Sequence, residues 1–321
     1  MAGHPMEGFR VHACVDWIEL LVRLPAPSQF RHVRARAPAH WGKVFVQAVE
    51  GNATSRQFNL RIQNPGPPTR VLRELQSLSP NDMPIHDHDL QVTGLEVAVD
   101  FIPETEEQRA HLAHVAAYLH EHMAKPPSGP HRLLFSYRLP VSGETTGEVT
   151  GAGGRAAIVS ALSAGRSLVI GEEDAPDSAR FYRKDYDTRP GQSYAPLPPA
   201  QHCARMERTL TGKACPITTL ASWRAFRFEP LAAMFALVLP TRDTTSLTAT
   251  MRAVWGPALG TPDDPKKRQR HRRQAAPATR RDTVLNARIR QALRDLTDRT
   301  TRAESAEIRG IEGLENAVSR R

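Results

Sequence analysis

The chain has 321 residues, 40% of them hydrophobic and 24% charged, enough for a sizeable buried core in about two domains or one large domain with a tail. No run of roughly 18 apolar residues occurs, which excludes a membrane helix, and the start M-A-G-H-P-M-E-G-F-R lacks the basic and apolar regions of a secretory signal. Cys14, Cys203 and Cys215 form no metal-type pairing, so reduced thiols in a cytoplasmic protein are expected.

The formal charge of +9 is localised. Residues 265–321 hold 16 of the 43 basic and 7 of the 34 acidic side chains, so the first 264 residues carry 27 of each and are neutral. A body with no net charge binds nucleic acid only through local patches, while the tail supplies the long-range field.

In chain order, H-A-C-V-D-W-I-E-L-L-V-R-L predicts a strand closed by P-A-P. Strict alternation puts Asp16 on a face with Ile18 and Leu20, where a carboxylate needs a partner or a metal. K-V-F-V-Q-A-V and Q-F-N-L-R-I-Q predict two more strands. Val71, Leu72, Leu75 and Leu78 then take helical spacing, with Thr69 as the expected N-cap. I-H-D-H-D-L reads as a polar turn.

G-L-E-V-A-V-D-F predicts a strand with Leu95, Val97, Val99 and Phe101 on one face and Glu96, Ala98 and Asp100 on the other. Glu96 and Asp100 lie about 13 Å apart at strand rise, too far to ligate one ion together unless the strand bulges. Residues 105–123 predict the clearest helix, capped by Thr105, with Leu112, Val115, Ala116 and Leu119 as its buried stripe. His111, His114, His120 and His122 spread around that helix and read as a solvated face.

G-A-G-G-R and T-G-K lack the flanking pattern of a phosphate-cradling loop, so nucleotide binding is not expected. Near residue 260 the body ends, giving expected boundaries of 1–260 for the body, 261–283 for a Pro-bounded basic linker and 284–321 for a helical tail. Lys266, Lys267, Arg268, Arg270, Arg272 and Arg273 in the linker are the expected DNA-binding residues. Two stripes, Leu285–Ile289–Leu293–Leu296 and Ile308–Ile311–Leu314–Val318, fit packing on the body or on a partner subunit, with short solvated helices as the equal alternative.

The chemistry-bearing stretch is R-F-Y-R-K-D-Y-D followed by H-C-A-R-M-E-R. Period two sets Tyr182, Lys184 and Tyr186 on one face, and Arg205 with Glu207 on one face of the next strand. A phenol with an ordinary pKa of about 10 must lose its proton to attack phosphorus. Lysine and a divalent ion favour that loss, and carboxylates such as Glu207, Glu96, Asp100 and Asp16 are the oxygen ligands that Mg²⁺ or Mn²⁺ prefers. A hairpin with a cross-strand Lys–Glu pair and a buried tyrosine is the structural alternative.

Four pieces in order, V-D-W, G-L-E-V-A-V-D, R-F-Y-R-K-D and A-R-M-E-R, resemble the replication initiation factor family of rolling-circle plasmids and filamentous phages, loosely over residues 10–230. The resemblance implies an enzyme that nicks one DNA strand at an origin through a tyrosine–5′-phosphate intermediate and leaves a 3′-OH primer. It implies Tyr182 as nucleophile, with Tyr186 the alternative, Lys184 and Arg205 assisting, and Glu96, Asp100, Glu207 and Asp16 as ligands of Mg or Mn. The implied partners are origin DNA, a host helicase or polymerase, and a second copy as homodimer; no membrane is expected. A non-catalytic DNA-binding replication or copy-number regulator with a basic tail is the alternative function. The expected fold class is α+β: a central, mostly antiparallel sheet with helices packed on one side, followed by the basic helical tail.

Overall fold

The computed structural model describes residues 6–41, 45–49, 54–79, 83–129, 131–134, 146–148, 154–172, 174–189, 192–240 and 279–318. Among the described residues nine strands form one sheet: β1 (Phe9–Ser28), β2 (Phe45–Ala48), β3 (Ser55–Gln63), β4 (Leu90–Pro103), β5 (His131–Leu134), β6 (Thr146–Glu148), β7 (Ser167–Ile170), β8 (Asp177–Lys184) and β11 (Cys203–Thr211). Their order across the sheet is β2-β3-β1-β4-β11-β8-β7-β5-β6, with every neighbouring pair antiparallel. Two ribbons stand apart from it, β9 (Tyr186–Arg189) with β10 (Gln192–Pro196), and β12 (Val238–Pro240) with β13 (Thr279–Arg281).

The helices are α1 (Phe30–Arg36), α2 (Pro68–Leu75), α3 (Glu106–Ala110), α4 (Leu112–His122), α5 (Gly154–Ser163), α6 (Leu220–Arg224) and α7 (Thr283–Val318). The architecture is α+β, as the alternation of strand and helix periods predicts. Leu95, Val97, Val99 and Phe101 of β4 are all fully buried and join one core with Val71 and Leu75 of α2 and the α4 stripe. Each such side chain contributes about 1.5–3 kcal/mol on burial. Among the described residues no helix is long and apolar enough to cross a membrane.

α7 joins this same core. Leu285, Ile289, Leu293 and Leu296 are buried in it, and the Arg299 guanidinium donates to the Ala13 carbonyl of β1 at 2.5 Å. Glu304, also buried, accepts from the Thr69 backbone N–H (3.0 Å), the Thr69 hydroxyl and Arg224 Nε (3.0 Å). The helix expected as a tail is thus packed on the body through its first stripe. In the second stripe Ile308 is exposed, while Leu314 and Val318 have side chains outside the described residues.

Two local expectations are corrected. The N-cap of α2 is Pro67 with Pro68 in the first turn, and Thr69 turns its hydroxyl to Glu304 instead. His120 and His122 are buried, the latter with Nδ1 2.9 Å from the Tyr118 carbonyl, so only His111 and His114 occupy the solvated side of that segment. The expected polar turn at I-H-D-H-D-L is present as one turn of 3-10 helix over Asp87–Asp89, whose Asp87 accepts from Arg224 at 2.7 Å. Thr105 does cap its helix, accepting from Gln108 N at 3.3 Å.

Candidate active site: a tyrosine among carboxylates

Strand register assembles the site in rows. One row runs His12 of β1, Asp100 of β4, Arg205 of β11 and Tyr182 of β8, each directly across from the next. The following row holds Cys14, Ala98, Glu207 and Arg180, and the third sets Trp17, Glu96, Thr209 and Ser178 side by side. Because side chains alternate along a strand, all of these point away from the apolar core face. Arg208 shows the alternation from the other side. It faces the core, bonds Asp177 and donates to the Lys125 carbonyl at 3.1 Å, a structural tie rather than part of the site.

Asp16 lies on this face at the point where the phase of β1 shifts. The β1–β4 register shifts between Val15 and Trp17, leaving Asp16 as the extra residue. Strict alternation would have placed it with Ile18 and Leu20, which are fully buried in the core. The bulge shifts the phase after it, so Asp16 keeps the face of His12 and Cys14, where Arg205 Nη1 donates to its Oδ1 at 2.5 Å, while Trp17 joins that face and Ile18 enters the core. The small Ala98 in the neighbouring row leaves room for the longer carboxylates beside it.

One oxygen each from Asp16, Glu96 and Glu207 lies within 4.8 Å of the other two. Two oxygens held about 2.1–2.4 Å from a single ion are at most about 4.2–4.8 Å apart, so the spacing suits one hard divalent cation. The partners of Glu207 divide cleanly. Its Oε1 accepts the Tyr182 hydroxyl at 2.5 Å, while its Oε2 is buried with no hydrogen-bond partner among the described residues. A buried, unsatisfied carboxylate oxygen beside two further carboxylates fits a cation.

Asp100 stands outside that cluster. Arg205 grips it with two donors, Nε to Oδ1 at 2.6 Å and Nη2 to Oδ2 at 2.8 Å. Burial pushes the Asp100 carboxyl up, but the Arg205 charge and its hydrogen bonds outweigh that and hold it below its ordinary range. The four carboxylates expected together are therefore divided: three cluster, and Asp100 fixes the arginine.

Glu96 and Glu207 shift the opposite way. Burial, then the charges of Glu207 and Asp16, raise Glu96 well above the usual carboxylate range, with the Thr209 hydroxyl bond opposing. Glu207 is raised by burial and by Asp16. Tyr182 is raised well above its ordinary value by burial and by Glu207. Burial pushes the Cys14 thiol up to about 12, so it stays a neutral neighbour of Arg205. Like charges gathered with this little compensation call for a proton or a cation.

Two expected residues, Lys184 and Tyr186, stand apart from the cluster. Lys184 has its ammonium 3.9 Å from Asp187 of β9, with no bond to Tyr182 among the described residues. Tyr186 does not continue the strand of Tyr182: β8 ends at Lys184 before buried Asp185, and Tyr186 opens the separate β9–β10 ribbon, 38% exposed. Lys266, Lys267, Arg268, Arg270, Arg272 and Arg273 lie outside the described residues.

Arg180 was not anticipated. Its guanidinium carbon stands 5.0 Å over the Tyr182 ring, its Nε is buried without a hydrogen-bond partner, and Glu207, Tyr182 and Glu96 keep it charged against the effect of burial. The period-two rule, extended one step back from Tyr182, would have found it.

No protein-family model matches the chain, and neither does any curated protein. Among solved structures, the rolling circle replication initiator protein from Geobacillus stearothermophilus overlaps 89% of this chain and 97% of its own, at 12% identity and a TM-score of 0.34. A likeness of that size leaves the site to be read from its own residues.

Proposed function

We propose that the protein is a metal-dependent DNA-nicking and joining enzyme that initiates rolling-circle replication, with Tyr182 as its nucleophile. The observation that carries this reading is the Tyr182 hydroxyl donating to Glu207 at 2.5 Å, beside three clustered carboxylates. The order of the four motif strands, resembling that of rolling-circle initiators, supplies the substrate class.

In the reaction the phenolic oxygen forms a bond to the scissile phosphorus and the bond to the 3′ oxygen breaks. Glu207 Oε1 takes the phenolic proton, and the departing 3′ oxygen takes one from solvent. The product is a tyrosine–5′-phosphate ester and a free 3′-OH; attack by a 3′-OH on that ester reverses the step and joins the strand. Asp16, Glu96 and Glu207 would hold Mg²⁺ or Mn²⁺, which supplies Lewis-acid stabilisation of phosphoryl charge and favours the phenolate. Arg180 lies against the phenol ring and offers a cation to the phosphoryl oxygens. Arg205, fully engaged by Asp100 and Asp16, orients the cluster.

The test is nicking of supercoiled DNA carrying the replicon's origin, with Mn²⁺. Tyr182→Phe should abolish nicking and leave origin binding intact. Retained nicking in Tyr182→Phe with loss in Tyr186→Phe would move the nucleophile. Retention in both would remove the mechanism, and binding without cleavage by the unaltered protein would leave the regulator reading.

A further inference from the structure

The charge on the neutral body is uneven. Between Glu19 and Glu50 no acidic residue occurs, while Arg23, Arg31, Arg34, Arg36 and Lys43 do. α1 lies in this stretch and buries only Val33; Arg31, His32, Arg34 and Arg36 are exposed. No ion pair involves Arg23, Arg31, Arg34 or Arg36 among the described residues. The neighbouring acid, Glu74 of α2, is already bonded to Trp41 (2.6 Å) and Arg70 (2.7 Å).

Two large aromatics interrupt the charge. Phe30 at the start of α1 and Phe45 on β2, which packs against α1, are each 53% exposed. An exposed ring costs solvation unless something covers it, and a surface this basic selects against an ordinary protein partner of mixed charge. A cleft of about 390 Å³ opens beside α1, its polar rim formed by Ser28, Gln29, His32, Arg36 and Thr54. Cations for phosphates and flat rings for bases are the two components of single-strand binding. Duplex binding would use the cations and leave the rings idle.

We infer that α1 and β2 form a single-stranded DNA platform, at the sheet edge away from the tyrosine. β2 and β8 are separated by five strand spacings, about 24 Å, so the platform holds the strand at a distance from Tyr182 rather than at the reacting phosphate. Arg31 and Arg34, one turn apart, stand about 5–6 Å from each other and contact successive phosphates. The DNA assignment rests on the proposed function; the single-strand preference rests on the rings and charges alone.

The experiment is fluorescence anisotropy of the full chain with a labelled 15-mer of thymidylate and with a 15-base-pair duplex, in EDTA so that no cleavage occurs. Phe30→Ala with Phe45→Ala should weaken the single strand by about 30-fold or more and leave the duplex nearly unchanged. Arg31→Gln with Arg34→Gln should lower the slope of log affinity against log salt by about 1.4 for the single strand. Thermal melting of both variants, expected to match the parent, shows that they fold. Unchanged single-strand affinity in both folded variants, or equal losses for single strand and duplex in the aromatic variant, would overturn the platform. So would parent protein that dimerises in sedimentation and becomes monomeric on loss of the two rings. None of these outcomes depends on a covalent adduct, so failure here leaves Tyr182 untouched, and loss of nicking alone leaves single-strand binding to be decided by these titrations.

Discussion

Tyr182 and Glu207 share a short hydrogen bond on one oxygen of the glutamate, and the other oxygen is buried without a partner among the described residues. The glutamate can therefore accept the phenolic proton on one side and face a cation on the other. Neither function requires the side chain to leave its place.

Glu96→Gln should act in opposite directions with and without a divalent ion. Removing one of three clustered negative charges relieves repulsion in the metal-free protein, while the amide oxygen still accepts from Thr209. The metal-free variant should gain on the order of 1 kcal/mol at pH 8, about 2–4 °C in melting temperature. The same variant should lose most of the stabilisation that Mn²⁺ gives the parent. Calorimetry with and without Mn²⁺ reads both effects.

The pH dependence follows from Glu96 and Glu207, whose carboxyls are raised by burial and mutual repulsion. A raised carboxyl holds its proton more firmly folded than unfolded, so its contribution to stability is complete below the ordinary value near 4.5. It is lost as pH rises through the raised value. Metal-free protein should therefore weaken as pH rises above about 4.5. The Mn²⁺-induced rise in melting temperature should grow over the same window, with protons released on binding. Melting curves from pH 5 to 8 with and without the ion check the sign.

Arg205 binds Asp100 with two donors and Asp16 with a third. Arg205→Met strands buried carboxylates and should cost about 3–5 kcal/mol. Arg205→Lys keeps the charge but not the fork, and should recover only part of that loss. Urea unfolding separates the two.

α7 should prove indispensable to the fold. Leu293 is fully buried in the common core, so Leu293→Ala should cost about 2–5 kcal/mol. Deleting 283–321 should leave a chain that does not melt cooperatively, whereas a short deletion confined to 266–273 should melt like the parent and bind DNA with a shallower salt dependence. Circular dichroism melts and a salt titration decide it.

Much of this was legible because it depends on period alone. The inward apolar face of β4, the cap at Thr105 and the pairing of Arg205 with Glu207 on one strand face follow from spacing. What was not legible depends on departures from period or on distant partners. The bulge at Asp16 shifts the phase of the rest of β1 and so separates Asp16 from Ile18 and Leu20, and no local pattern around V-D-W announces it. The break at Asp185 likewise separates Tyr186 from Tyr182, though the residues between them read as continuous strand. That Asp100 is taken by Arg205 while Glu207 is left for the cluster is set by cross-strand register among three segments far apart in sequence. The same holds for α7, whose stripe is plain in sequence but whose partner surface belongs to β1 and α2.

The most direct measurement is the covalent adduct itself. Full-length protein is incubated with Mn²⁺ and the single-stranded DNA flanking its own coding region, then digested and sequenced by mass spectrometry. The account predicts a nucleotide attached by its 5′ phosphate to Tyr182, absent in EDTA and absent from Glu207→Gln at short times. An adduct mapped to Tyr186, or no adduct while the DNA is bound and the ion present, would contradict it.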